Sequence, residues 1–326
     1  MGLTGEQMCN ESWAKEHQTF QQVAYIPVIL LGLGLNAMAV CVFILRRRHW
    51  TDSHIYMLNL ALADCTLVVF LPVRVYDAYW PLKPSLLCTV MISIHYTNMY
   101  ASILTVTCIS VHRYLSIRFP FWARRKGTRK RVAVLVCTLI WGIVVTICAV
   151  FHSENLPENL CTCYSRGEKR LSLQFLLALE VVGYLLPLLT MSFCCIQISC
   201  ILQENNTGEE GSEQKKKFVR LVKANLMVFI VCYTPIHVAF YLGEYHKVYQ
   251  SSWSFMDDQV HKFHEVAEWI ATTNCCLDSF GYYFLLKHCF TKLGQNSSES
   301  PENPQWKSRG KNACLVVLPQ VSDNCT

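Results

Sequence analysis

Apolar positions along the chain gather into long runs, and the charges gather between them. Seven runs stand out, at roughly 22–46, 54–80, 86–118, 131–151, 171–202, 217–243 and 263–286. Each reaches the length of about 20 apolar residues that a helix needs to cross a bilayer. One such run would suit a buried helix of a water-soluble protein. Seven in succession, joined by short polar segments, predict an all-α fold: a seven-transmembrane helix bundle over residues 21–294. An extracellular segment, 1–20, precedes it, and a disordered cytoplasmic tail, 295–326, follows. A short amphipathic helix is expected after the seventh span, at Lys287–Leu293.

Composition agrees. Of 326 residues, 52% are hydrophobic and 16% charged, against about 25% charged in soluble domains. The distribution of basic residues sets the orientation. Arg46, Arg47 and Arg48 follow the first run, Arg118 and Arg124 to Arg131 hold seven cations between the third and fourth, and Lys215, Lys216, Lys217, Arg220 and Lys223 open the sixth. The intervening loops mix acids with bases. The positive-inside rule then puts the N-terminus outside and the C-terminus in the cytoplasm. The net charge of +6 is accounted for by these loops, and no nucleic-acid partner is needed. Residues 1–20 lack the apolar core of a cleavable signal, so the first helix is expected to direct insertion. The chain is thus read as a multi-pass plasma-membrane protein.

Topology sorts the modification sites. The acceptor string at Asn10 lies outside and is a glycosylation candidate; those at Asn205, Asn296 and Asn324 lie inside and are read as chance. Cys289, and after it Cys314, are palmitoylation candidates. Ser297, Ser298, Ser300, Ser308 and Ser322 offer phosphorylation sites, or form a plain solvated tail. Of eighteen cysteines only Cys9, Cys88, Cys161 and Cys163 face the oxidising side. A bond from Cys88 to the Cys161-Thr162-Cys163 loop would fix that loop over the bundle. Cys163 is the favoured partner and Cys161 the alternative; Cys161 would then be free to pair with Cys9.

The polar residues inside the runs carry the strongest signal. They are Gly34-Leu35-Asn36 in the first, Asn59 to Asp64 in the second, and Cys88 with His112-Arg113-Tyr114 in the third. Trp141 and Pro187 mark the fourth and fifth, Phe229 with Cys232-Tyr233-Thr234-Pro235 the sixth, and Asp278 to Tyr282 the seventh. In this order and on these helices they resemble the class A, rhodopsin-like G-protein-coupled receptors over residues 20–294. The strings WTDSHIYMLNLALAD, LEVVGYLLPLLTMSFCC, TPIHVAFYL and NCCLDSFGYYF are similar to the subgroup of lysophosphatidylinositol- and kynurenic-acid-responsive receptors.

The resemblance implies roles. Arg113 would face the G-protein cavity, with Tyr114 beside it, where the alternative is an arginine snorkelling at the lipid boundary. His112 stands where the family usually has an acid, so an inactive-state partner for Arg113 is expected to be missing. Raised basal signalling, sensitive to cytoplasmic pH, follows. Phe229, Tyr233, Pro235, Asp278 and Tyr282 would form the switch. Tyr233 replaces the usual Trp, Ser279 the usual Pro and Cys195 a common Tyr. Asp64, Ser102, Asn274 and Asp278, near Asn36, match the residues around a sodium ion in the family, with a protonated Asp64 as the alternative.

For the outer cavity, the resemblance points to Arg74, His95, Tyr96, Met99, Glu180, Tyr184, Tyr233, His237, Tyr241 and Glu268, with Trp269. An arginine there suits a phosphate or carboxylate, and apolar walls suit a lipid tail. Arg74 either binds such a ligand or pairs with Glu268; His237 and Glu180 either contact ligand or satisfy one another. His95 in place of an acid disfavours an amine ligand, and Thr272 in place of a lysine excludes retinal. The expected function is a receptor for an anionic lysophospholipid acting on a heterotrimeric G protein, without catalysis. The rival ligands are a peptide or a small aromatic carboxylate. A transporter is the rival class, but no inverted repeat appears. A membrane enzyme would need a metal or nucleophile motif that the chain lacks.

Overall fold

The computed structural model describes residues 11–45, 52–119, 126–154, 157, 160, 163–164, 173–204, 212–248 and 259–278. In chain order they form α1 (Glu11–Leu45), α2 (Asp52–Tyr79), α3 (Leu86–Arg118), α4 (Lys126–Glu154), α5, α6 (Ser212–Val248) and α7 (residues 259–278). The fifth helix, α5, opens as Leu173–Glu180, takes a π-helical turn at Val181–Leu185 and continues as Leu186–Glu204. The expected Asn10, Tyr282, Cys289, terminal amphipathic helix and tail lie outside the described residues, as do Cys9 and Cys161.

Five helices contain a stretch long and apolar enough to cross a bilayer: Thr19–Ile44, Asp52–Tyr79, Arg129–Ala149, Leu173–Gln203 and Val219–Gly243. Two of the seven expected spans are more polar, and the reason is where they sit. The third, α3, packs against α2, α4, α5 and α6, and it buries His95, Asn98, Ser102 and Thr105. The seventh buries Glu268, Thr272 and Asn274, and its apolar run continues past the described residues. Helices surrounded by protein need less apolar surface than those that face lipid.

Several helices also outrun the spans expected from hydropathy. The first, α1, starts at Glu11, inside the stretch read as an extracellular segment, and α6 starts at Ser212 and takes in Lys215 to Lys217. Hydropathy marks the lipid-covered part of a helix, whereas backbone hydrogen bonding carries the helix on into polar turns.

The bundle is built for a lipid solvent. Leu30 (70% exposed), Leu189 (67%) and Val145 (61%) point outward, while Asn36 and Asp64 are fully buried. Backbone polar groups are satisfied within each helix, which lipid requires. Tyr25 and Val28 of α1, Leu67, Val68 and Leu71 of α2 and Cys275 and Cys276 of α7 form one apolar cluster that seats α7 against α1 and α2. The π turn precedes Pro187, whose ring removes a donor and crowds the carbonyl one turn back; the wider turn absorbs this. Gly183 sits in that turn because Tyr100 of α3 fills the space a side chain would need: an added Cβ would lie 2.5 Å from Tyr100 Cε1.

Candidate functional site

At the end of the bundle where α3 begins, Cys88 is bonded to Cys163, the favoured of the two expected partners. This bond holds the neighbouring Tyr164 over the bundle, with its ring 4.6 Å from the Arg74 guanidinium; the Tyr25 ring lies 4.8 Å away. Arg74 is 3% exposed. Its Nη2 donates to Glu268 Oε2 at 2.6 Å, so the expected pairing across α2 and α7 is present. Glu268 Oε1 lies 3.5 Å from His95 Nε2. Arg74 Nε and Nη1 and both His95 ring nitrogens are buried without a hydrogen-bond partner among the described residues. Beside them lies a small cavity lined by Leu67, Phe70, Leu71, Met91 and Ile94 together with Arg74, His95 and Tyr164.

A second cluster joins α5 and α6. Here His237 Nδ1 lies 3.1 Å from Glu180 Oε1. The Tyr184 ring stacks on His237 with centroids 4.6 Å apart, and its hydroxyl shares a 2.7 Å hydrogen bond with Thr234. Tyr184 also stacks on Phe229, which meets Tyr233 edge-on at 5.3 Å. An unbroken aromatic path thus runs inward from the His237–Glu180 contact to the expected switch residues. Met99 and Tyr96 are buried nearby, Tyr96 against Phe240. Tyr241 is 60% exposed.

Deeper in the bundle, Asn98 Nδ2 donates to Asp64 Oδ1 at 3.0 Å, and Asp64 Oδ2 is buried without a partner among the described residues. Ser102 Oγ and Asn274 Nδ2 both donate to Asp278 Oδ2, at 3.5 and 2.7 Å. Asn36 donates to the carbonyls of Gly32 and Cys275, tying α1 to α7. Trp141 Nε1 donates to Asn59 Oδ1 at 2.7 Å, and Asn59 Nδ2 to Thr105 Oγ1 at 3.1 Å. One amide therefore links three helices.

At the cytoplasmic end His112 does not stand idle. It pairs with Asp52 at the start of α2, and Asp52 also pairs with Arg129 of α4. Arg129 lies 2.9 Å from His112 Nε2 and donates to Ser116 Oγ at 3.4 Å. Arg113 is half-buried, and its Nη1 has no hydrogen-bond partner among the described residues. Tyr114 meets Phe193 edge-on.

Sequence reasoning missed Asp52, Arg129, Tyr25, Tyr164 and Asn98. Asn98 was open to discovery, one turn after His95 on the polar side of α3. Arg129 is hidden in a run of seven cations, where nothing local distinguishes the one that turns inward.

The model of the "7 transmembrane receptor (rhodopsin family)" matches residues 35–282. The chain belongs to this family. It is a multi-pass receptor of the plasma membrane, coupled to G proteins and addressed by an extracellular ligand, and it is not an enzyme. Mouse G-protein coupled receptor 35 is 30% identical to it over 302 residues, 91% of this chain and 96% of that protein. Human lysophosphatidic acid receptor 4 is 30% identical over 273 residues, 81% and 73% of the two chains. Human G-protein coupled receptor 55 is 30% identical over 280 residues, 83% and 86%. These relatives agree with the subgroup resemblance of the sequence.

Proposed function

We propose that the receptor's ligand is an anionic lysophospholipid, with Arg74 gripping its headgroup and its chain lying along Leu67, Phe70, Leu71, Met91 and Ile94. The observation that carries this reading is the unmet hydrogen-bonding capacity around Arg74. A guanidinium has five donors, and two of its three nitrogens here are buried without a hydrogen-bond partner among the described residues. Buried donors without acceptors are costly, and an oxyanion seated beside an apolar cavity removes that cost. A relative named for lysophosphatidic acid supports the same chemistry. Ligand contacts with His95 and Tyr96 would reach the α5–α6 cluster through Phe240 and His237. A rearranged Tyr184–Phe229–Tyr233 stack would then favour the separation of α6 that lets Arg113 meet a Gα subunit, a two-state coupling of two distant sites.

The test is ligand-dependent G-protein dissociation in cells expressing wild type or Arg74→Ala at equal surface density. Lysophosphatidylinositol, lysophosphatidate and aromatic carboxylates form the panel. Activation by a lysophospholipid that Arg74→Ala abolishes supports the reading. Activation that Arg74→Ala leaves intact overturns it, and activation by carboxylates alone assigns the site to the smaller anions.

A sodium ion fits the core. Among the described residues Asp64 Oδ2 is a buried oxygen without a partner, and Ser102 and Asn274 converge on the neighbouring Asp278 carboxylate. Asp64 and Asp278 would supply the charge and Ser102 and Asn274 neutral oxygens. A cation there stabilises the inactive bundle. Recruitment of receptor kinases and arrestin to the serine-rich tail completes the proposal.

A further inference from the structure

The Arg74 site holds a fixed number of charges, and that limits how an anion can enter. Arg74, Glu268 and His95 are 3%, 7% and 5% exposed. Glu268 stands between the other two, 2.6 Å from Arg74 Nη2 and 3.5 Å from His95 Nε2. With His95 neutral the group is balanced, one cation against one carboxylate. An anion that takes the open Nε and Nη1 of Arg74 leaves one buried cation facing two buried anions, an uncompensated charge that burial penalises. The remedy lies on the other side of the carboxylate. His95 has both ring nitrogens without a hydrogen-bond partner among the described residues, and one added proton makes it a cation facing Glu268 Oε1.

We propose that binding of an anion at Arg74 is accompanied by uptake of one proton on His95, with Glu268 then shared between Arg74 and the new imidazolium. The inference rests on Arg74 as the anion anchor and adds to it the ligand's charge class. A monoanion without a cation of its own enters together with a proton, so the site stays neutral before and after.

The surroundings of His95 support the assignment. Tyr96 meets its ring edge-on at 5.2 Å from the same helix. Arg74 on α2, Tyr164 above, and Glu268 and His264 on α7 are the other titratable or charged groups facing it. Among these Glu268 is the carboxylate and gives the proton its reason to stay. His264 is the competing imidazole, and it packs edge-on against Phe240 at 5.6 Å.

The sign follows from linkage. The bound state holds one proton more than the free state, so affinity rises as the outer pH falls and is lost as pH rises, by up to about tenfold per pH unit.

The experiment is direct binding of two labelled probes, oleoyl lysophosphatidylinositol and 1-naphthoate, to receptor-containing membranes between about pH 6 and 8. Both probes keep a single negative charge over that range, so only the receptor titrates. Wild type is expected to bind at least one probe about tenfold more tightly at the acid end. His95→Gln is expected to bind at the alkaline-end affinity throughout. Glu268→Gln, which removes the carboxylate that needs the proton, is expected to give a flat profile as well, and serves if His95→Gln fails to reach the membrane. A flat wild-type profile with binding that Arg74→Ala abolishes overturns the proton exchange and leaves the anchor standing. A slope that persists in His95→Gln overturns the role of His95. Absence of binding by both probes, or binding indifferent to Arg74→Ala, overturns the anchor and this inference with it.

Discussion

Replacing His112 by aspartate restores the residue type usual beside this arginine, and the structure states what that does. His112 is held by Asp52, which is shared with Arg129. In His112→Asp a second carboxylate arrives where the imidazole now meets Asp52. Two like charges about 4 Å apart at an effective dielectric of about 20 repel by about 4 kcal/mol. Arg129 offsets part of this but can serve both acids only by loosening from each. The single variant is therefore expected to lose surface expression, which hides any effect on signalling. The informative variant is Asp52→Asn/His112→Asp, compared with Asp52→Asn. There the new carboxylate has no second acid beside it and is shared by Arg129 and Arg113, whose Nη1 is buried without a hydrogen-bond partner among the described residues. A hydrogen bond to a charged group contributes about 1.5–3 kcal/mol, and about 1.4 kcal/mol is a factor of ten. Ligand-free G-protein dissociation, normalised to surface density, is expected to fall about tenfold or more in the double variant. Equal or higher basal signalling would show that Arg113 needs no partner in the inactive state and would refute the reasoning.

Further variants test other contacts. Gly183→Ala places a Cβ 2.5 Å from Tyr100; overpacking of this kind costs about 1–3 kcal/mol, so a lower melting temperature of the purified receptor is expected. Cys163→Ser opens a loop of 75 residues; the constraint is worth about 4 kcal/mol, and loss of Tyr164 from Arg74 adds weaker ligand binding, read by surface staining and binding together. Trp141→Phe removes the donor to Asn59 and is expected to cost about 1 kcal/mol, again as a drop in melting temperature. Asp64→Asn is expected to abolish any weakening of agonist affinity by sodium relative to potassium; a sodium effect that survives it sinks the cation site.

What the sequence made legible, and what it did not, follows from the range of the forces involved. The seven spans could be read because lipid demands about 20 apolar residues in a row, a local and one-dimensional signal. Cys88 and Cys163 could be read because topology leaves few cysteines outside. Arg74 and Glu268 were recognisable as a costly pair of buried charges, yet whether they met was open until the helices were packed. The partners of His112 were closed to sequence reading for a different reason. Asp52 precedes the second apolar run and Arg129 belongs to a solvated basic loop by composition, so each looks like surface. Each stands at the first residue of its membrane-length stretch and becomes interior only because α2, α3 and α4 pack against one another there. The consequence reaches function. An imidazole that looked like a missing acid is a brace across three helices, and the vacancy beside Arg113 is one side of an arrangement whose other side holds the cytoplasmic ends of α2, α3 and α4 together.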